Sequence, residues 1–357
     1  MPLFGLVSLN DGRDKIYVTG EVTYGYDSNL FASAGGAGDS SIAATVSSEY
    51  SRRAGLIGVD AAVSLNMSRF NQYTSENFNN PKFSLEFTKQ SGRTTGSLLL
   101  GAARESRADS AANIRNESWN YKAGLNMRYP VIERYSLSGG VGYSKRDFQN
   151  NTELVDLTSI STNIDLFYVY NSERDLILGY RFRRETTSAS NTNYDHDVNV
   201  GISGKVLPKL NGTVRVGYQV RDAQGNTDES FSSWQASSSL TWNLAKRLTL
   251  TGALSKDFST TSTNISTDTL SGQLSAVYTY SSKLSFGSTL SAGQSKYLGI
   301  KGQGREDFFF SYGFDINYAL NEHLKLHAGY TFFQNWSTLA YSDFIRNSYT
   351  LSISSRW

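Results

Sequence analysis

The sequence predicts an all-β protein, a transmembrane antiparallel up-and-down β-barrel of about eighteen strands with short turns at one end and longer loops at the other. Three observations carry the prediction. Apolar and polar residues alternate along many extended segments. Short and longer links between these segments also alternate. The final segment runs to the last residue and ends on an aromatic side chain. In that segment Tyr349, Leu351, Ile353 and Trp357 suit an apolar face, while Thr350, Ser352, Ser354 and Arg356 fall opposite and Ser355 is the one lapse. Side chains of a strand alternate with period two, so such a segment is greasy on one side and wet on the other. Tyr349, Leu351, Ile353 and Trp357 are accordingly the candidate assembly signal, to be read by barrel-assembly machinery.

Composition agrees. The 357 residues include 22 Tyr, 19 Phe and 31 Gly but only 4 Pro, a mix that suits strands over long helices. No stretch approaches the roughly 20 apolar residues of a helical span. Alternation cancels in any average, so a barrel hides its membrane signal. There is no Cys, which excludes a disulfide framework, a thiolate metal site and a Cys nucleophile. The formal net charge is +2 with acids and bases interspersed, and no polybasic arm invites nucleic acid. Residues 3–7 are shorter than the roughly 7–15 apolar residues of a signal-peptide core. The chain is therefore expected to be a mature or trimmed form.

Along the chain, clear alternation marks strands at 118–129, 134–146, 210–221, 231–244, 248–256, 270–280, 284–294, 305–320 and 323–333. In 210–221, for example, Leu210, Val214, Val216, Tyr218 and Val220 oppose Asn211, Thr213, Arg215, Gly217, Gln219 and Arg221. The segment 93–104 is ambiguous, because Leu98, Leu99 and Leu100 break the pattern. Short links are expected near 51–54, 89–93, 130–133, 171–174, 206–209, 244–247, 281–283 and 320–323, where Pro130, Pro208, Asn171 and Asn321 suit tight turns. Longer links of about ten to fifteen residues, rich in Ser, Thr, Asn and Gly, are expected near 27–41, 68–77, 105–116, 147–156, 185–193, 222–230, 257–267, 295–305 and 334–343. None is long enough for a large plug, so any constriction must come from several loops or a partner. The asymmetry places both termini in the periplasm. It implies one barrel over residues 15–357, preceded by a short periplasmic segment, residues 1–14.

Aromatic residues cluster near the strand ends. Tyr24, Phe78, Tyr143, Phe231, Trp234, Phe308, Phe332 and Phe344 fall towards the loops. Tyr50, Tyr129, Tyr135, Trp242, Tyr280, Tyr318 and Trp357 fall towards the turns. Two such bands suit the girdles at the two faces of a bilayer. A water-soluble sheet would not display Phe and Tyr at this density on an outer face.

The inward positions are mostly Ser, Thr, Gly, Asn and Gln. Charges stand among them. Arg128, Arg146, Asp165, Arg181, Arg183, Asp195, Asp197, Lys205, Arg215, Arg221 and Asp315 are the candidate lumen charges, and Glu21, Asp60, Glu86 and Lys122 share the inward phase. Two readings stay open: rows that set a preference among solutes, or wall charges that compensate one another and keep the lumen wet. Tyr17, Phe167, Phe309 and Phe333 also have the inward phase, without forming an evident sugar slide.

Catalytic and metal signals are weak. His323 and His327 are four residues apart, about 13 Å along a strand, too far to share one ion. His196 lies between Asp195 and Asp197, but period two sends it outward and both aspartates inward. Asp222, Asn226, Asp228 and Glu229 surround Gly225 without the spacing of a calcium loop. Gly299, Gly302 and Gly304 follow no nucleotide fingerprint, and no nucleophile elbow appears. No enzyme, cofactor or metal is expected.

The first strand runs into Tyr26-Asp27-Ser28-Asn29-Leu30-Phe31, and the chain closes on Ser355-Arg356-Trp357 after repeated hairpins. This pattern resembles the second β-barrel porin family. The resemblance implies an outer-membrane barrel; some members are linked to exopolysaccharide export, and it carries over no catalytic residue. The expected function is a porin-like channel for polar solutes or glycans, with the outer-membrane component of an exopolysaccharide pathway as its extension. The rival is a non-conducting scaffold or adhesion barrel. The expected partners are outer-membrane lipid and lipopolysaccharide, the barrel-assembly machinery and periplasmic export components.

Overall fold

The computed structural model describes residues 7–9, 13–53, 55–149, 153–225, 229–299 and 304–357. Most of the 1–14 segment, Asn226, Asp228 and Gly302 lie outside the described residues. A short strand, β1 (Val7–Leu9), precedes eighteen long ones. These are β2 (Asp14–Asp27), β3 (Asp39–Arg52), β4 (Gly58–Phe70), β5 (Phe78–Lys89), β6 (Thr95–Asp109), β7 (Ile114–Ile132), β8 (Tyr135–Gln149), β9 (Leu157–Asn171) and β10 (Arg174–Thr187). The series continues with β11 (Thr192–Leu207), β12 (Leu210–Gln224), β13 (Glu229–Ala245), β14 (Leu248–Thr260), β15 (Ser266–Thr279), β16 (Leu284–Tyr297), β17 (Glu306–Ala319), β18 (Leu324–Ser337) and β19 (Phe344–Arg356).

The eighteen long strands pair antiparallel in chain order. β19 returns to pair with β2, from Ser348 opposite Asp27 to Arg356 opposite Thr19, which closes an up-and-down barrel. Closure leaves no free sheet edge, the one way a sheet satisfies its backbone in hydrocarbon. The seam is thorough. Trp357 exchanges both backbone hydrogen bonds with Val18, each 2.9 Å. Below it β1 takes over, pairing with Asp14 to Ile16 of β2.

Period two decides the faces. Val46, Val63, Val141, Val200, Val216, Tyr218, Leu274 and Leu351 all stand exposed on the outer wall. Tyr349, Leu351, Ile353 and Trp357 lie on that same face. The ambiguous stretch resolves in β6: Leu98 and Leu100 sit opposite Phe87 and Leu85, while Leu99 sits opposite the inward Glu86. Three residues assigned to the girdle face inward instead, and one of them, Phe231, stands opposite the inward Arg221. Phe344 is buried against Phe333, with ring centroids 5.6 Å apart. Phe78 lies under the Arg115 guanidinium. Near the barrel's end both sides of a strand are covered or wet, so residue type no longer reports the face.

The longer links are also shorter than their composition implies. The connection after β6 is residues 110–113, and that after β10 is 188–191. A tilted strand needs only about 9–11 residues to cross hydrocarbon. These strands have 12 residues or more, so their ladders continue beyond the bilayer, where the alternation fades. The longest connection, 28–38, links β2 to β3.

The facing is testable. Val216→Arg puts a charge on the lipid side and should cost about 2–4 kcal/mol of barrel stability at midplane depth. Thr213→Arg, on the lumen side, should be tolerated. Urea titration of the barrel refolded in liposomes reads both; equal midpoints would contradict the assigned faces.

Candidate functional site

The site is the loop end of the lumen, where two hairpin tips leave the wall. The β13–β14 ladder stops at Ala236 opposite Lys256. Beyond it the β14–β15 ladder continues to Thr260 opposite Ser266, and β13 continues against β12 to Glu229. The β14–β15 tip therefore separates from its neighbour. A second tip behaves likewise: β5 and β6 part at Lys82 opposite Ala103, while β6 and β7 stay paired to Asp109 opposite Ile114. Pro81 follows immediately on β5 and has no N–H to donate, which is a local reason for that ladder to end.

Inward charges hold the first tip. Arg181 on β10 donates to both carboxylate oxygens of Asp257, at 2.9 and 2.8 Å. Neighbouring strands lie about 4.8 Å apart, so β10 and β14, four steps apart, are roughly 19 Å apart along the wall. The pair forms because Asp257 has swung into the lumen. Arg183 bonds Asp195 at 2.7 Å, Asp257 at 3.1 Å and the Phe258 carbonyl at 2.6 Å. Arg221 is fully buried. It forms a fork on Asp195 (2.6 and 2.8 Å), reaches Glu185 at 2.6 Å and the Ser259 carbonyl at 2.9 Å, and lies over the Phe258 ring. A planar guanidinium suits such divided work, because its five N–H groups point in fixed directions. Lys256 fills the notch beside the departing tip, bonding Asp268 and Ser233 over the Trp234 ring.

Below the clamp, Arg215 on β12 meets Asp165 on β9 at 2.5 Å. The pair passes over Gly179 on β10. A Cβ there would lie 2.4 Å from the Asp165 carboxylate and 3.0 Å from the Arg215 guanidinium, so glycine is what lets the pair lie against the wall. Asp197 is buried, accepts from Asn199 at 2.6 Å and stands 3.7 Å from Arg181.

The two tips meet across the mouth. Ser262 donates to Asp109 at 2.8 Å, and its carbonyl accepts from the Val155 N–H at 2.9 Å. Arg305, ahead of β17, is buried on Asp307 and the Tyr297 ring and donates to the Ser110 and Ala111 carbonyls, each at 3.1 Å. Burial alone would lower the Arg305 pKa, but the Asp307 carboxylate holds it above the ordinary value. Asn113 reaches the Ala32 carbonyl and accepts from Ser342, both at 2.6 Å. Four connections and both tips thus converge.

Nearer the turns the inner wall is wet. Asn126, Thr251, Ser255, Gln273 and Asn317 are inward and exposed. Arg128 pairs with Asp175 at 3.0 Å over the Phe167 ring. Asp315 accepts from Asn317 at 2.7 Å. Lys205 pairs with Glu173 at 2.7 Å at the rim. Arg146 bonds Ser118 at 3.1 Å. His196 points outward to the Tyr180 hydroxyl at 2.8 Å, away from Asp195 and Asp197. His323 stacks on Trp357 and His327 bonds Asn317. Asp222 takes a bond from Ser230 at 2.7 Å.

The inward phase identifies Asp165, Arg181, Arg183, Asp195, Asp197, Arg215 and Arg221 as candidates. It missed Asp257, Glu185, Asp109, Ser262 and Arg305. Asp257 and Ser262 sit in a segment whose composition reads as an outer loop, and no local signal says that the loop folds inward.

Comparison with known proteins fits this architecture. The family model described as "Putative beta-barrel porin 2" matches residues 196–356, just under half of the chain. Among solved structures, OccK2 (OpdF) of Pseudomonas aeruginosa, crystallised with glucuronate, superimposes with a TM-score of 0.54 at 12% identity, covering 96% of this chain and 97% of that one. OccAB2 of Acinetobacter baumannii gives 0.52 at 11%, covering 96% and 98%. The Pseudomonas aeruginosa outer membrane protein OpdK gives 0.52 at 11%, covering 96% and 99%. No curated protein sequence matches the chain. The chain has the fold of outer-membrane porin-type barrels.

Removing Arg221 would leave Asp195 to Arg183 alone, and Glu185 to Thr260 and a 3.7 Å contact with Arg183, so the cost should stay below the roughly 3–5 kcal/mol of a buried pair broken outright. Arg221→Met should therefore free the β14–β15 tip and speed proteolysis within Thr261–Ile265 while the wall resists. An unchanged cleavage rate would show that other contacts hold the tip.

Proposed function

We propose that this protein is a passive conduit for small polar solutes across a bacterial outer membrane, narrowed at its loop end by the two hairpin tips. One observation carries the reading: the inner wall is polar and exposed towards the turn end, and at the mouth the two tips touch through a few polar contacts. A wall of Ser, Thr, Asn and paired charges suits hydrated solutes. In this reading the turn end, with both termini, faces the periplasm, and the mouth and its girdle meet lipopolysaccharide. The last strand presents Tyr349, Leu351, Ile353 and Trp357 to the assembly machinery. No chemistry is performed on the solute.

Export of a polysaccharide, the role implied by resemblance, would require the β14–β15 tip to swing clear of the clamp. The contacts between the tips across the mouth favour a second reading, a scaffold that never conducts. Planar-bilayer recording separates them. The chain has no Cys, so Asp109→Cys with Ser262→Cys places a unique thiol pair across the mouth. The uncrosslinked protein should conduct, and a short bifunctional thiol reagent should reduce the current several-fold, reversibly where the linker is cleavable. Silence before cross-linking favours the scaffold. Unaltered current after complete cross-linking places the solute path elsewhere.

A further inference from the structure

The adjoining stretch of wall, formed by β6, β7 and β8, differs from the clamped one in how its cations are paired. Arg181, Arg183, Arg215 and Arg221 each have a carboxylate at hydrogen-bonding distance. Arg146 does not: its bonds go to Ser118 at 3.1 Å and Asn116 at 3.4 Å, both neutral. Lys122 is exposed to the lumen, and no ion pair holds it among the described residues. Both face inward. Asn120 stands opposite Arg146, and Lys122 opposite Ser144, so the two cations are diagonal neighbours on adjacent strands. That geometry puts their Cα atoms roughly 7–8 Å apart, a span that a single anionic group can bridge from between the side chains.

The Arg146 guanidinium also lies over the Phe148 ring. Arg107 faces inward opposite Asn116 and adds like charge. Glu105 and Asp109 are the acids within electrostatic reach of Arg146; Asp109 is occupied by Ser262, Asn116 and the Ala111 N–H. Glu185, on β10 two strands from β8, borders the same space and is tied to Arg221 and Thr260. Arg107, Lys122 and Arg146 thus stand beside three acids, Glu105, Asp109 and Glu185, of which Asp109 and Glu185 are already hydrogen-bonded elsewhere, while neither Lys122 nor Arg146 is ion-paired among the described residues. Here the wall borders a chamber of about 220 Å³, whose lining includes Asn120, Lys122, Ser144, Arg146, Ser159, the Arg221-bound Glu185 and, from the hairpin tip, Thr260. That is smaller than the roughly 300–1,000 Å³ of drug-sized sites. Its lining of hydroxyls and an amide can bond a polyhydroxy body, while the cations take a charge.

We propose that this chamber is a docking site for the carboxylate of a small, hydroxylated monoanion, seated on Lys122 and Arg146 beneath the hairpin tip. The proposal deepens the conduit reading and rests on it for its biological meaning, but the site's occupancy is measurable without any current. Calorimetric titration of the folded, detergent-solubilised barrel with sodium gluconate should show saturable binding, and glucose at the same concentrations should show none. Lys122→Gln with Arg146→Gln should weaken gluconate binding at least tenfold, with the barrel still folded by its resistance to SDS at room temperature. Each single variant should fall between. The proposal fails if gluconate does not bind the wild-type barrel, or if the double variant binds it equally well. A barrel that binds gluconate through these residues yet carries no current would overturn the conduit and leave the site standing. A conducting barrel with unchanged gluconate binding in the double variant would do the reverse.

Discussion

Backbone hydrogen bonding in hydrocarbon is the constraint behind this structure. Lipid offers no donor or acceptor, so every N–H and C=O at membrane depth must find its partner within the protein. A sheet meets that demand only by closing, and closure depends on the seam between β2 and β19. There the chain uses its final residue, since Trp357 bonds Val18 through both backbone groups, and β1 covers the remaining edge of β2. Once the ladder is closed, period two assigns each strand a lipid face and a lumen face, and the side chains follow.

Above the bilayer that constraint relaxes, and side chains take over. The ladders between β5 and β6 and between β13 and β14 end early because wall pairing is no longer compulsory there. The freed β14–β15 tip is held by Arg181, Arg183 and Arg221 on Asp257, Asp195 and Glu185, with carbonyls of the tip completing the guanidinium bonding. Buried ion pairs seldom add much net stability against an apolar alternative, but a broken one is expensive. Their value here is geometric: they fix one position for a short tip that has almost no apolar core of its own. The contacts across the mouth are single hydrogen bonds, such as Ser262 to Asp109, each worth about 1 kcal/mol. A firmly clamped base with a weakly tethered tip is the arrangement that the proposed conduit reading requires.

Charge is divided between the two walls in the same spirit. Where Arg181, Arg183, Arg215 and Arg221 are matched by acids, the wall is structural. Where Arg146 and Lys122 are not, the wall has charge to offer a solute. The glycine at position 179 marks the difference at residue level, since it removes a side chain to let Asp165 and Arg215 lie flat against the barrel.

Sequence by itself determined the barrel, its strand number and the face of most residues, because an apolar-out, polar-in pattern of period two is a local property that each strand carries alone. Val216 and Thr213 declare their sides without reference to any other strand. The pattern weakens where the bilayer ends, so Phe78, Phe231 and Phe344 read as outward although they face the lumen, and the loops read as longer than they are. The inward charges were legible as a set, but their partners were not. Asp257 lies four strands from Arg181, and only tertiary structure brought them together. Which charges are spent on holding the tip and which remain free is decided by the path of one hairpin through the lumen, and no periodicity along a single strand records that path.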